Sequence, residues 1–174
     1  MTSGGEAQVQ RVRDYLQGLG EEAAFTAAHP SAVLVELEEG AVAGLGEDDA
    51  EVTAQMATKE VKRQAVSSRE ACVFPLRAPL GILEVGRAPD VQLLVDHPSV
   101  SKRHARFTIT PEAVTLEDLG STNGTFVRGR RLAEGEKVVL EPEARVSFGR
   151  AAGFQFLDAS AFFHYLALLQ RFGF

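Results

Sequence analysis

Three short polar clusters contain residue types that can hold an anion. They are Gly86-Arg87, Ser-Val-Ser-Lys-Arg-His over residues 99–104, and Ser-Thr-Asn-Gly over residues 121–124. Arginine offers a planar fork of donors, lysine a point charge, and serine and threonine offer hydroxyls, all of which suit a phosphate. A turn of small residues also presents main-chain N–H groups in a concavity that binds anions. Together the clusters predict a site for one phosphate group.

Six residues of these clusters are candidate ligands, and several of them have an ordinary structural alternative. Arg87 could instead form a surface ion pair, and Ser101 could cap a turn. Asn123 can bridge two main chains through its amide, and Asn-Gly is the commonest hairpin turn pair, so both roles coexist there. Gly124 allows the positive φ that such a turn commonly needs. The candidate ligands are Arg87, Ser101, Lys102, Ser121, Thr122 and Asn123.

Other chemistries lack the residues that they require. The stretch Gly-Ser-Thr-Asn-Gly-Thr over residues 120–125 resembles the phosphate loop of nucleotide hydrolases, but no Gly-Lys-Ser or Gly-Lys-Thr follows it. The four histidines and Cys72 show no metal-ligand spacing, and no nucleophile motif occurs. His104 has no nucleophile or carboxylate paired with it in sequence, which favours a role in bracing loops. We therefore expect a binding protein, not an enzyme, with no metal and no cofactor.

The charge of the chain is unevenly distributed. The formal net charge is −6, and residues 1–70 hold 13 acidic against 6 basic residues, whereas residues 71–174 hold 11 against 12. The basic residues of the second part concentrate in two places, giving a local positive field that suits one compact anion but is too weak for a nucleic-acid footprint. These residues are Lys102, Arg103, Arg106, Arg128, Arg130 and Arg131. Four of them are predicted to be solvated surface, with a role in selecting acidic flanks of a ligand left open: Arg103, Arg128, Arg130 and Arg131.

Composition also bears on the compartment. A single cysteine, Cys72, cannot form an internal disulfide, which favours a reducing environment. The first fourteen residues contain no apolar core typical of a signal peptide, and no run of 18 apolar residues predicts a membrane span. We therefore expect a soluble, cytoplasmic protein that does not bind membranes, and the alanine- and glycine-rich composition favours a bacterial source.

A β-sandwich would bring the three clusters together. Between residues 71 and 158, short apolar runs recur every eight to twelve residues and are closed by turn residues, as in Ala-Arg-Phe-Thr-Ile-Thr at 105–110. This cadence predicts an antiparallel sandwich or barrel. The clusters fall at strand ends, and a sandwich gathers its loops at its two ends.

The rest of the chain predicts an α/β N-terminal extension, residues 1–70, and a C-terminal helix, residues 159–174. The extension contains a helical pattern within 6–28 that Gly18 and Gly20 should end or interrupt, a strand over 31–37 and a weaker helical pattern over 50–66. The C-terminal helix should begin at an Asp or Ser N-cap. Its packing on the sandwich is favoured over docking to another protein. Its apolar face comprises Phe162, Tyr165, Leu166 and Leu169.

The order and spacing of Gly-Arg, Ser-x-x-His and Ser-Thr-Asn-Gly-Thr-Phe-Val resemble the forkhead-associated (FHA) domain family over about residues 71–158. The resemblance implies a β-sandwich that recognises phosphothreonine in partner proteins. It implies that Arg87 and Ser101 bind the phosphate with help from Thr122, and that Asn123 hydrogen-bonds the peptide main chain. Gly86, His104 and Gly124 would shape the loops. Lys102 departs from the usual arginine, keeping the charge but not the fork geometry.

The favoured hypothesis is a phosphothreonine-dependent interaction module, a signalling adaptor whose partner is phosphorylated by a Ser/Thr kinase or is such a kinase itself. The alternative is a scaffold or assembly subunit that uses the same sandwich without phosphate, because a fold does not fix a function. A third hypothesis has the acidic residues 1–70 folding back over the basic loops as an autoinhibitor.

Overall fold

The described residues of the computed structural model are 10–37, 69–78, 80–150 and 152–171, and they form twelve strands and three helices. The strands are β1 Gln10–Arg11, β2 Val33–Glu36, β3 Cys72–Pro75, β4 Ile82–Gly86, β5 Leu93–Leu94, β6 Ala105–Ile109, β7 Val114–Asp118, β8 Thr125–Val127, β9 Arg130–Arg131, β10 Lys137–Val139, β11 Arg145–Phe148 and β12 Ala152–Leu157. The helices are α1 Val12–Leu16, α2 Glu22–Ala28 and α3 Ala159–Arg171.

The strands form two sheets that share one core. The larger sheet has the order β1-β3-β2-β12-β11-β8-β9, and the smaller has the order β10-β7-β6-β4-β5. All paired strands are antiparallel except β4 and β5. The buried rings of Phe107 in one sheet and Phe148 in the other meet edge to face at 6.3 Å, an arrangement that aromatic rings favour. The predicted mainly β sandwich is confirmed.

The register of the smaller sheet places the three polar clusters at one end. Val85 near the end of β4 pairs with Ala105 at the start of β6, and Ala105 also pairs with Asp118 at the end of β7. The side chains of Val85, Phe107 and Leu116 face inward and are buried, as is the carboxylate of Asp118. Glu84 and Arg106 lie on the outer face, as alternation requires. The loops that follow β4, precede β6 and follow β7 therefore lie side by side.

The described part of the N-terminal extension is built into the sandwich. The predicted strand over 31–37 is confirmed as β2, which lies between β3 and β12 in the larger sheet. Two helices occupy the predicted helical region, and Gly18 and Gly20 lie between them as predicted. Sequence periodicity predicted β2 but not its partners, because strand pairing is a long-range property. The division proposed at residue 70 stays a prediction, and the helical pattern over 50–66 lies outside the described residues.

A second core covers the outer face of the larger sheet. Helices α1, α2 and α3 pack there, and Phe162 of α3 lies 5.0 Å from the ring of Tyr15 and 5.9 Å from that of Phe25. Because both faces of β2 are covered, Val33, Leu34 and Val35 are all buried. The members of this core are Val12, Phe25, Val33, Val35, Val73, Leu157, Phe162 and Leu166.

The C-terminal helix therefore packs within the chain, which answers the question that its sequence left open. Asp158 caps it as predicted, since its Oδ1 accepts a hydrogen bond from the main-chain N–H of Ala161 at 2.7 Å. Phe162 and Leu166 are buried, and Tyr165 and Leu169 are partly buried beside them. No helix within the described ranges has the length and apolar content needed to cross a membrane.

Replacing Phe162 by alanine tests whether the two ends of the chain stabilise the sandwich. We expect Phe162→Ala to lower the free energy of unfolding by about 3–5 kcal/mol, because truncating a buried phenylalanine leaves a cavity. Leu168→Ala on the same helix, where the side chain is 55% exposed, should change it by less than about 0.5 kcal/mol. Urea unfolding followed by circular dichroism measures both. A separate transition for the helical layer, with the sandwich unaffected, would contradict this reading.

Candidate functional site

Main-chain hydrogen bonds join the first polar cluster to the second. The N–H of Arg87 donates to the carbonyl of Ser101, and the N–H of Ala88 donates to the carbonyl of Lys102, both at 3.0 Å. Gly86 permits this approach, because a Cβ at residue 86 would lie 2.0 Å from the Lys102 carbonyl oxygen. Any side chain at residue 86 would push the two segments apart, so glycine is a requirement of the site's geometry.

Side-chain hydrogen bonds join the second cluster to the third. The main-chain N–H of Thr122 donates to Oγ of Ser101 at 3.0 Å, and Nδ2 of Asn123 donates to the carbonyl of Ser99 at 2.9 Å. The side chains of Thr122 and Asn123 are exposed, and Ser101 is partly exposed. The structure therefore brings these three predicted ligands together at one end of the sandwich.

The side chain of His104 joins the second and third clusters through hydrogen bonds in the interior. It is fully buried, Nδ1 accepts a hydrogen bond from the N–H of Ser101, and Nε2 donates to the carbonyl of Gly124, each at 3.0 Å. Because Nδ1 accepts, this network assigns the ring proton to Nε2. Burial lowers the pKa of His104, against the opposing effects of the Gly124 carbonyl and Asp118. The ring is therefore a neutral structural bridge, and a proton on Nδ1 would break it.

Asp118 organises the third cluster, although the sequence reasoning did not single it out. Its buried carboxylate accepts four hydrogen bonds, from the N–H groups of Gly120 and Ser121 on Oδ1 and from the hydroxyls of Ser121 and Thr125 on Oδ2. Burial acts to raise the pKa of Asp118, but the hydrogen bonds outweigh it and the pKa lies below its usual value. An aspartate two or three residues before turn N–H groups is an Asx signal that was readable in the sequence.

Ser121 is not available to a ligand in the way that the sequence suggested. Its side chain is buried, and its hydroxyl donates to Asp118 at 2.6 Å and accepts from the N–H of Gly124 at 3.0 Å. Gly124 has a φ of 87°, which completes the turn without strain in a residue that lacks Cβ. We therefore assign Ser121 to the loop, because both functions of its hydroxyl are used inside it.

The charges around the site divide into paired and unpaired cations. Arg103 pairs with Glu84 and Asp90, Arg106 with Glu84, Arg128 with Glu141 and Arg130 with Glu136. Within the described ranges, Arg87, Lys102 and Arg131 have no carboxylate within 4.0 Å. The positive field predicted from the sequence is therefore carried by fewer residues than the count suggested.

One hydrogen bond orients the guanidinium of Arg87. Nε donates to the carbonyl of Val100 at 3.2 Å, and the residue is exposed. The two terminal amino groups make no hydrogen bond to any described residue. A guanidinium fixed at Nε by the segment that leads into Ser101 and Lys102 leaves its terminal amino groups to solvent. In the same described ranges, no group of three or more His, Cys, Asp and Glu side chains is placed to hold a metal ion.

Comparison with known proteins identifies the domain. Residues 83–149 match the model of the family described as FHA domain. Nibrin of Danio rerio is 42% identical over 65 residues, which are 37% of this chain and 8% of that protein. The FHA domain-containing protein FhaB of Mycolicibacterium smegmatis is 34% identical over 90 residues, 51% of this chain and 57% of that protein. The chain thus spans less than two thirds of these curated relatives.

A solved structure supports the same fold. The FHA domain of the CT664 protein from Chlamydia trachomatis superposes with a TM-score of 0.50 at 22% identity, covering 74% of this chain and 97% of that one. The matched segment contains all three polar clusters and both buried loop residues, His104 and Asp118. The resemblance stated from the sequence is confirmed over residues 83–149, the segment that matches the FHA domain model.

Acidification should weaken the fold through His104. An unfolded histidine takes up a proton below about pH 6.5, whereas the lowered pKa of folded His104 delays its protonation. Stability should therefore fall as the pH drops below 6.5, by up to about 1.4 kcal/mol per pH unit. Urea unfolding between pH 7.5 and 5 should show a flatter dependence for His104→Gln than for the wild type.

Two controls accompany that titration. His164→Gln removes an exposed imidazole from α3, and a loss of slope there would place the pH dependence elsewhere. An NMR titration of the His104 ring in the wild type does not depend on how well the variant folds. A ring that protonates at its ordinary pKa would contradict the bridge assigned here.

Asp118→Asn should destabilise the domain by about 1–3 kcal/mol, because an amide nitrogen cannot accept the hydrogen bonds that one carboxylate oxygen accepts in this buried turn. The neighbouring Glu117→Gln, on the outer face of the same strand, is the matched control and should change stability by less than about 0.5 kcal/mol. Chemical denaturation measures both. Equal stability of the two variants would mean that the turn does not depend on the carboxylate.

Proposed function

We propose that this chain is a phosphothreonine-dependent interaction module that binds partner proteins phosphorylated by a Ser/Thr kinase. The observation that carries the proposal is the Arg87 guanidinium, which is held at Nε by the carbonyl of Val100 and pairs with no carboxylate of the described residues. Val100 directly precedes Ser101, whose hydroxyl accepts from the N–H of Thr122. A planar fork of charged donors next to a hydroxyl matches the geometry and charge of a phosphate. The side chains around it donate hydrogen bonds or carry positive charge, which can hold a phosphate but do not cleave it. An interaction module is therefore favoured over an enzyme.

The hydrogen bonds of the loops decide which groups remain for a ligand. Ser101 accepts from the Thr122 N–H, so its own proton is left to donate outward. Thr122 has its N–H engaged in this way and contributes its hydroxyl. Lys102 adds a charge that can move on a flexible stem. The phosphate would therefore be bound by Arg87, Ser101, Lys102 and Thr122.

Asn123 is suited to the peptide rather than to the phosphate. Its Nδ2 donates to the carbonyl of Ser99, which leaves Oδ1 to accept a main-chain N–H of the bound peptide. A contact of this kind fixes the direction of an extended peptide across the loops. It reads no side chain, so specificity for the partner must come from other groups.

Preference for threonine over serine needs an apolar niche for a single methyl group. Burial of one methyl contributes about 0.8 kcal/mol, roughly a fourfold difference in affinity. A larger preference requires that the niche also fix the rotamer of the phosphorylated side chain. Matched phosphoserine and phosphothreonine peptides measure this contribution separately from the phosphate itself.

Replacing Arg87 tests the proposed function. Fluorescence anisotropy against a degenerate phosphothreonine peptide library should show binding that unphosphorylated peptides lack. Arg87→Ala should weaken it by about 2–5 kcal/mol, roughly 30-fold or more, because the phosphate loses its main charged partner. Arg87→Lys should recover only part of the affinity, since it keeps the charge and loses the fork.

Arg128→Ala is the matched control, because it removes an exposed arginine that already pairs with Glu141. It should leave phosphopeptide affinity unchanged. If the folded wild type binds no phosphopeptide, or binds phosphorylated and unphosphorylated peptides equally, the phosphate-independent scaffold becomes the better hypothesis.

A further inference from the structure

The turn over residues 120–124 carries opposite charges at its two ends. A Cβ added to Gly124 would lie 2.5 Å from Nε of Arg131, and one added to Gly120 would lie 2.9 Å from Oε1 of Glu134. The guanidinium of Arg131 therefore covers one end of the turn and the carboxylate of Glu134 covers the other. Thr122 and Asn123 lie between them, so a peptide held by these two residues runs close to both charges.

Arg131 differs from its neighbours on the same hairpin. Arg128 and Arg130 are paired with Glu141 and Glu136, and their charges are largely compensated. Arg131 is exposed and pairs with no carboxylate in the part of the chain that the structure describes. Glu134 is also exposed and pairs with no lysine, arginine or histidine in that part. An uncompensated charge at a binding surface selects ligands of the opposite sign more than it stabilises the fold.

We propose that Arg131 recognises a second anionic side chain in the phosphopeptide, at the position that lies over the Gly124 end of the turn. Glu134 disfavours acidic side chains over the Gly120 end, so the preference has a direction along the peptide. The inference rests on the proposed phosphopeptide binding and adds the class of partner: a phosphothreonine segment with an acidic or second phosphorylated residue on one side.

The expected gain in affinity is small, because an ion pair between Arg131 and an acidic side chain of the peptide would be exposed to solvent. An exposed ion pair changes affinity by about 1.5- to fivefold, and a phosphate with nearly two negative charges should have a larger effect than a carboxylate. Salt screens exposed charges, so the preference should shrink as ionic strength rises from about 0.05 to 0.5 M. Binding of the first phosphate by Arg87 should persist over much of this range.

The test is a set of phosphothreonine peptides in which a single aspartate, or a single phosphoserine, is moved along an otherwise neutral sequence. Anisotropy titrations with the wild type should give higher affinity when the acid stands on one side only. Arg131→Gln should abolish that gain, and Arg131→Glu should replace it by a preference for lysine at the same position. Glu134→Gln should relax the discrimination on the other side.

Arg130→Gln is the matched control, since Arg130 neighbours Arg131 in the chain and is already paired. It should keep the full preference.

If phosphopeptides bind equally wherever the acid stands, or if Arg131→Gln keeps the preference, the inference is wrong while the proposed function stands. If no phosphopeptide binds at all, both fall together. A gain with phosphoserine alone would assign the position to a second phosphate, and an equal gain with aspartate would assign it to acidic residues in general.

Discussion

The buried imidazole of His104 is the contact on which the binding end of the molecule depends. It accepts from the main chain of Ser101 and donates to the main chain of Gly124, so one neutral ring sets the distance between two loops that are twenty residues apart. Asp118 fixes the conformation of the third cluster, where its carboxylate accepts four hydrogen bonds. Because these groups are buried and satisfied, they order the exposed residues of the two loops, and binding at the proposed site would not have to supply that order.

The larger sheet shows why the chain needs more than the matched family segment. Its β2 and β12 strands are covered by the sandwich core on one face and by α1, α2 and α3 on the other, which leaves Leu34 and Val35 buried on opposite sides. Removal of the helical layer would expose apolar side chains such as Val33, Val73 and Leu157. The described segments outside residues 83–149 therefore stabilise the larger sheet, on its face opposite to the sandwich core.

Much of the site was predictable because it is encoded in local patterns. The order of Arg87, Ser101 and Asn123 within a strand cadence was enough to predict the fold and the convergence of the loops. Two features were not predictable for physical reasons. The pairing of β2 with β12 is a contact between residues more than a hundred positions apart, and the compensation of Arg128 by Glu141 depends on how two separate segments approach. The burial of Ser121 was not predictable either, because the sequence does not reveal that its hydroxyl donates to a buried carboxylate.

The direction of the hydrogen bonds explains why such a site favours an anion over a neutral polar group. The Ser101 oxygen accepts from the N–H of Thr122, and its hydroxyl proton is left to donate to a ligand. Arg87 and Lys102 carry donors only, and the Asp118 carboxylate is buried and accepts four hydrogen bonds within the third cluster. A neutral carbonyl or hydroxyl could satisfy one of these donors, whereas the several oxygens of a phosphate can satisfy them together and compensate the charge. The selectivity expected of the proposed site therefore follows from hydrogen bonds that the loops make among themselves.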